Sequence, residues 1–149
     1  MNNAAGHSNW NKFVGWLLFA CIFLGIALSG QQSGSNVLTA TRPDIREVTT
    51  QQGKTMIDAG ALVIDVRDQA TSAAAHLPNA LLIPSEVLVA RMAKVEADLA
   101  RPIVVYCGDG SRLGPDATAT LNQAGYKNAV NLKGGIQGWR AAGLPTISK

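Results

Sequence analysis

No acidic residue occurs before Asp44, and between Lys12 and Arg42 there is no charge of either sign. Histidine and cysteine are equally sparse, with two of each in 149 residues. His7 and His76 are far apart and no acidic or cysteine cluster accompanies them, so the spacing of a metal site is missing. Cys21 lies inside an apolar run and Cys107 far beyond it, which excludes a structural disulfide within the domain that follows. There is no internal repeat. All ten acidic residues, and all basic residues except Lys12, fall after that apolar run. The part of the chain after the run is therefore only slightly basic, at +2, with its signs mixed. That balance gives no case for nucleic acid or for a polybasic lipid-binding surface.

What is present divides into four parts: a tail at 1–12, an apolar segment at 13–30, a linker at 31–43 and a domain at 44–149. Residues 13–30, FVGWLLFACIFLGIALSG, are apolar or small throughout. At 1.5 Å per residue they cover roughly 27 Å, near the lower limit for crossing a bilayer. One N-terminal transmembrane helix is the first reading, with Trp10 and Trp16 suited to the interface. A cleaved signal segment is the alternative, because Ala27-Leu28-Ser29 has the small-x-small form of a processing site. A buried helix of a soluble protein fits poorly, since no polar face interrupts the run. Lys12 immediately before the span leans the N-terminus toward the cytoplasm, which expects a single-pass membrane protein with its domain in the periplasm of a Gram-negative cell. The linker, QQSGSNVLTAT at 31–41, reads as a flexible tether.

Within the domain the pattern alternates. Thr49 or Thr50 caps a helix running to about Ala59, with Gln52 placed for a capping box. Residues 61–67 read as a buried strand, His76 to Ala80 as a turn holding backbone, and 81–83 as a short strand. Ser85 is expected to cap the next helix. Pro102 admits a strand at 103–106, Pro115 sits in the first turn of a further helix, and Gly125 ends it. A strand at 129–132, a Gly134-Gly135 turn and a last helix carrying Ile136 and Trp139 complete the order, with the turn and the tryptophan read as packing. Strands alternating with helices predict an α/β domain with a parallel sheet.

Cys107 ends the β-branched run Ile103-Val104-Val105-Tyr106 and is followed by Gly108-Asp109-Gly110-Ser111-Arg112. A buried cysteine at a strand end is often plain core. The glycine-rich loop behind it argues otherwise, because glycines let successive N–H groups turn inward while a helix N-terminus and Arg112 add positive potential. Such a setting favours the thiolate, which is the nucleophile.

The order LVIDVR (62–67), HLPNALLIP (76–84), IVVYCGDGSR (103–112) and GYKNAVNLKGGIQGWRAAGLP (125–145) resembles the single-domain rhodanese (sulfurtransferase) family over essentially the whole domain. The resemblance implies a central parallel sheet flanked by helices, with the active cysteine at the C-terminal end of a strand. It implies that Cys107 carries sulfur as a persulfide, taken from a thiosulfate-like donor and given to a thiol or cyanide. Gly108, Asp109, Gly110, Ser111 and Arg112 then match the substrate-binding loop, and Asp65 and Arg67 a supporting pair, more naturally a salt bridge than catalytic groups. No metal or cofactor is required. Two positions depart from the pattern: Leu113 stands where many relatives carry a small hydroxyl residue, and Asp109 brings a negative charge into an anion cradle. Asp109 leaves open a tethered relay or protein-binding module that takes persulfide from a protein partner and has little activity on free thiosulfate. A cysteine-dependent phosphatase or arsenate reductase is a third reading, opposed by the four residues between Cys107 and Arg112 where those loops have five.

Overall fold

A computed structural model describes residues 44–148 of the chain. The segments assigned above to tail, membrane span and linker lie outside the described residues, and among the described residues no helix is long and apolar enough to cross a membrane.

The elements follow in the order β1 (Glu47–Val48), α1 (Thr50–Asp58), β2 (Leu62–Asp65), α2 (Gln69–Ala74), β3 (Leu81–Leu82), a single 3₁₀ turn (Ser85–Val87), α3 (Leu88–Val95), β4 (Ile103–Tyr106), α4 (Leu113–Gln123), β5 (Ala129–Leu132) and α5 (Gly135–Ala141). The strands form one sheet in the order β1-β5-β4-β2-β3, and every neighbouring pair is parallel. This is the α/β sheet flanked by helices that the sequence predicts.

Alternation along the strands divides the core between the two faces of the sheet. Ile64, Ile103, Val105 and Cys107 pack with Leu88, Met92, Ala117 and Leu121 of α3 and α4. Val63, Val104, Tyr106, Val130 and Leu132 pack with Ile136 and Trp139 of α5 and with Met56 and Ile57 of α1. β4 is buried along its whole length, so its run is continuously apolar rather than amphipathic.

The capping box at the start of α1 forms as expected. Thr49 Oγ1 accepts from the Gln52 N–H at 3.3 Å, and Gln52 Oε1 accepts from the Thr49 N–H at 2.9 Å. Pro115 lies in the first turn of α4, and Gly125 follows that helix with φ of +106°. Ser85 corrects its assignment: its hydroxyl donates to Glu86 Oε1 at 3.1 Å instead of capping a helix, the chain makes one 3₁₀ turn, and α3 begins at Leu88. Two elements have no clear sequence signal. β1 is two residues long, and α2 is a six-residue Ala/Ser/Thr helix with no apolar stripe, started by Asp68 accepting from the Thr71 N–H at 2.8 Å.

Candidate active site

β4 delivers Cys107 to the α4 side of the sheet because residues 103, 105 and 107 share that face. The thiol is only 3% exposed, and the Gly110 N–H donates to its Sγ at 3.3 Å. The first-turn N–H groups of α4 at Leu113 and Gly114 have no intrahelical acceptor, and Pro115 has none to offer. The helix therefore begins beside the sulfur with its positive end. A Cβ on Gly114 would lie 3.3 Å from Cys107 Sγ and would collide with Asn131 Oδ1, so a bare Cα is required there.

Carbonyl groups on the far side hold the loop. Cys107 O accepts from the Ile136 N–H and Gly108 O from the Gln137 N–H, each at 3.0 Å, at the start of α5. Gly110 O accepts from Asn131 Nδ2 at 3.1 Å. All peptide bonds here are trans, so each tethered carbonyl turns the N–H of the same peptide the opposite way. The N–H groups of Gly108, Asp109 and Ser111 are thereby directed away from α5 and β5. Gly110 has φ of +72°, and a Cβ there would lie 2.6 Å from both Gly134 N and Leu132 O, which requires glycine on both conformational and steric grounds.

Not all the loop donors serve the sulfur. Asp109 Oδ1 accepts from the Ser111 N–H at 3.0 Å and Oδ2 from the Ser111 hydroxyl at 2.8 Å. These two donors, the backbone one first, hold the Asp109 carboxyl below its usual range. The exposed carboxylate sits at the rim, yet its Oδ1 is 3.9 Å from Cys107 Sγ. Arg112 occupies the N-cap position of α4 with its side chain exposed, and Leu113 is half-buried behind it.

Asp65 and Arg67 form the anticipated ion pair, with Nη2 to Oδ2 at 2.6 Å and Nε to Oδ1 at 2.9 Å. The pair lies on the Tyr106 face of the sheet and reaches the sulfur loop only through the chain. Tyr106 donates its hydroxyl proton to Asp65 Oδ2 at 2.8 Å and accepts from the Leu77 N–H at 3.1 Å, while Arg67 Nη2 donates to Ala75 O at 2.7 Å. Burial, and then the charge of Asp65, pushes the Tyr106 phenol up, so it remains a donor. The hydrogen bonds that Arg67 donates to Asp65 raise the pKa of its guanidinium, which stays cationic. His76 holds backbone as expected: it exchanges two 2.8 Å hydrogen bonds with Ile147, and its Nδ1 lies 3.0 Å from Ser72 O.

Asn131, Gly114 and the N–H groups after Gly135 are functional contacts that the local sequence pattern does not single out. The Gly134-Gly135 turn, expected to serve packing, also presents the N–H groups that tether the cysteine loop. Gly135 has φ of +51°, and a Cβ on it would lie 2.7 Å from Gly108 O. A glycine pair following an apolar strand, in the same position as the loop after Cys107, was the available signal.

A parallel sheet of this order, with a cysteine at the C-terminal end of its central strand, defines an α/β protein whose site rests on one thiol. The rhodanese-like domain family matches residues 49–142, and the chain belongs to that family. Among its relatives, a sulfurtransferase of Allochromatium vinosum is 38% identical over 87 residues, covering 58% of this chain and 78% of the relative. The thiosulfate sulfurtransferase GlpE of Haemophilus influenzae is 34% identical over 100 residues, covering 67% of this chain and 92% of the relative. Among solved structures, the rhodanese-like domain of an Anabaena sp. protein superposes with a TM-score of 0.63 at 30% identity, covering 69% of this chain and 79% of that one.

Proposed function

We propose that this protein is a sulfurtransferase that moves a sulfane sulfur through a persulfide on Cys107. The observation that carries the reading is the Gly110 N–H donating to a buried Cys107 Sγ at the start of α4, inside a loop whose carbonyls are tied back to α5 and Asn131. In the first step the Cys107 thiolate attacks the outer sulfur of a thiosulfate-like donor. The donor's S–S bond breaks, sulfite leaves with the electron pair, and Cys107 holds a persulfide. In the second step an acceptor thiolate or cyanide attacks the terminal sulfur and the Cys107 thiolate is restored. This is covalent, ping-pong catalysis in which loop N–H groups and the Arg112 charge stabilise the bound sulfur and the departing anion. Asp65 and Arg67 act as a brace for Tyr106 and the 75–77 turn.

A second reading is favoured by one observation. The Asp109 carboxylate, 3.9 Å from Sγ, repels a dianionic donor, which suits a tethered relay receiving persulfide from a protein. Residues 13–30 support a membrane anchor on hydrophobic length, with the domain on the periplasmic side. Intact mass of the soluble domain after thiosulfate tests the chemistry. A gain of one sulfur, removed by cyanide, is expected. A gain only from a protein persulfide would favour the relay, and none from either would overturn the sulfurtransferase reading.

A further inference from the structure

Asn131 is fully buried in β5, a strand whose other residues are all apolar and buried. A leucine at that position would meet no polar requirement of the sheet. The amide also carries a penalty, because among the described residues its Oδ1 has no hydrogen-bond partner. Its two N–H bonds, however, are both used, one toward each side. Nδ2 donates to Glu47 Oε1 at 2.7 Å, across to the edge strand β1, and to Gly110 O at 3.1 Å, in the cysteine loop. Register places Asn131 beside Val105, on the same sheet face as Cys107. A Cβ built on Gly114 would meet both Asn131 Oδ1 and Cys107 Sγ, so the amide and the thiol flank the same bare glycine.

We propose that Asn131, held by Glu47, is a positioning residue that fixes the orientation of the Gly110–Ser111 peptide and with it the hydrogen-bonding face of the sulfur loop. It rests on the reading of Cys107 as the sulfur-carrying nucleophile. The Gly110 carbonyl has one side-chain partner, and that partner decides which way the peptide lies. With the carbonyl turned down onto Asn131, the planar trans bond sends the Ser111 N–H up to Asp109 Oδ1, while the Gly110 N–H, in the preceding peptide of the same loop, donates to Cys107 Sγ. Glycine at 110 offers little torsional resistance of its own, so without the amide the peptide is free to turn its carbonyl to the side of the loop that carries the sulfur, replacing the Ser111 donor by an acceptor. Glu47 matters because a carboxylate acceptor fixes the amide rotamer with nitrogen, not oxygen, facing the loop.

The test measures two rates on the full-length protein, alkylation of Cys107 by iodoacetamide and persulfide formation from thiosulfate, together with the melting temperature. Asn131→Leu should slow both rates about tenfold, the worth of one hydrogen bond acting on a charged group. Its melting temperature should change little, since loss of the unpaired Oδ1 offsets leaving Gly110 O without its partner. Glu47→Ala, on the exposed edge, should slow both in the same direction and add nothing in the Asn131→Leu background. A folded Asn131→Leu protein with wild-type rates, or effects that simply multiply in the double variant, overturns the proposal. If Asn131→Leu fails to fold, Glu47→Ala decides alone, and a wild-type rate there overturns it. Should the wild-type protein accept no sulfur at all, the functional reading fails, while the alkylation comparison still decides the role of Asn131.

Discussion

Tyr106 and Cys107 are consecutive residues whose side chains leave β4 on opposite faces of the sheet. Tyr106 joins the buried Asp65–Arg67 pair and anchors the Leu77 turn, while Cys107 turns toward α4 and receives the Gly110 N–H. The ion pair therefore fixes the end of the strand from which the cysteine loop departs, without lying in the sulfur's own environment. Support and chemistry are separated by one peptide.

Cys107→Ser should abolish sulfur transfer and leave the fold unchanged. A serine hydroxyl fits the small space beside Gly114 but neither ionises at working pH nor carries a persulfide. Mass after thiosulfate and far-UV circular dichroism check the two halves, and a surviving turnover would remove Cys107 from the mechanism.

Arg67→Met should act on stability. It leaves the fully buried Asp65 carboxylate without its cation, and the loss should be about 3 kcal/mol. The fraction that remains folded should transfer sulfur at close to the normal rate. A large fall in turnover at an unchanged denaturation midpoint would instead give Arg67 a direct part in the reaction.

Asp109→Asn should lower the Michaelis constant for thiosulfate about threefold, with a gain that shrinks as salt is added, because a screened repulsion has been removed. The Ser111 donors hold this carboxyl below its ordinary range, so its charge, and the repulsion, persist from about pH 8 down to about pH 5. The sign follows: the clamp on Ser111 stabilises the loop above the unfolded pKa and is lost only as pH falls through the lower folded value. Steady-state kinetics across that range should show no step assignable to Asp109.

Gly114→Ala should lower both stability and sulfur transfer. The new methyl would collide with Asn131 Oδ1 and press on Cys107 Sγ at 3.3 Å, and neither neighbour can retreat from a packed sheet. Thermal melting and the rate of persulfide formation should fall together.

Protease added to spheroplasts should release the domain by cutting between Gln31 and Arg42, a polar, glycine-containing stretch, if residues 13–30 anchor it with Lys12 inside. Protection until the membrane is broken would reverse the orientation. A soluble periplasmic domain obtained without protease would show processing after Ala27-Leu28-Ser29.

Much of this protein can be read from residue order alone, where the determinants are local. The β-branched run before Cys107, the glycines behind it, the capping box at Thr49 and Gln52, and Pro115 in a first turn each act over a few residues, and each appears where its chemistry predicts. Ser85 departs from its expected cap, and α2 carries no sequence signal, because short polar segments have several local hydrogen-bonding choices and no apolar period to select among them. What only the tertiary structure decided is which groups hold the cysteine loop. Asn131 meets Gly110 across 21 residues and Glu47 across 84, and the α5 N–H groups reach the Cys107 and Gly108 carbonyls because β5 lies beside β4. Those contacts depend on strand order and register. A sequence expresses strand order only through burial summed over the whole sheet, so the cysteine loop is legible along the chain and the residues that contact it from other strands and helices are not.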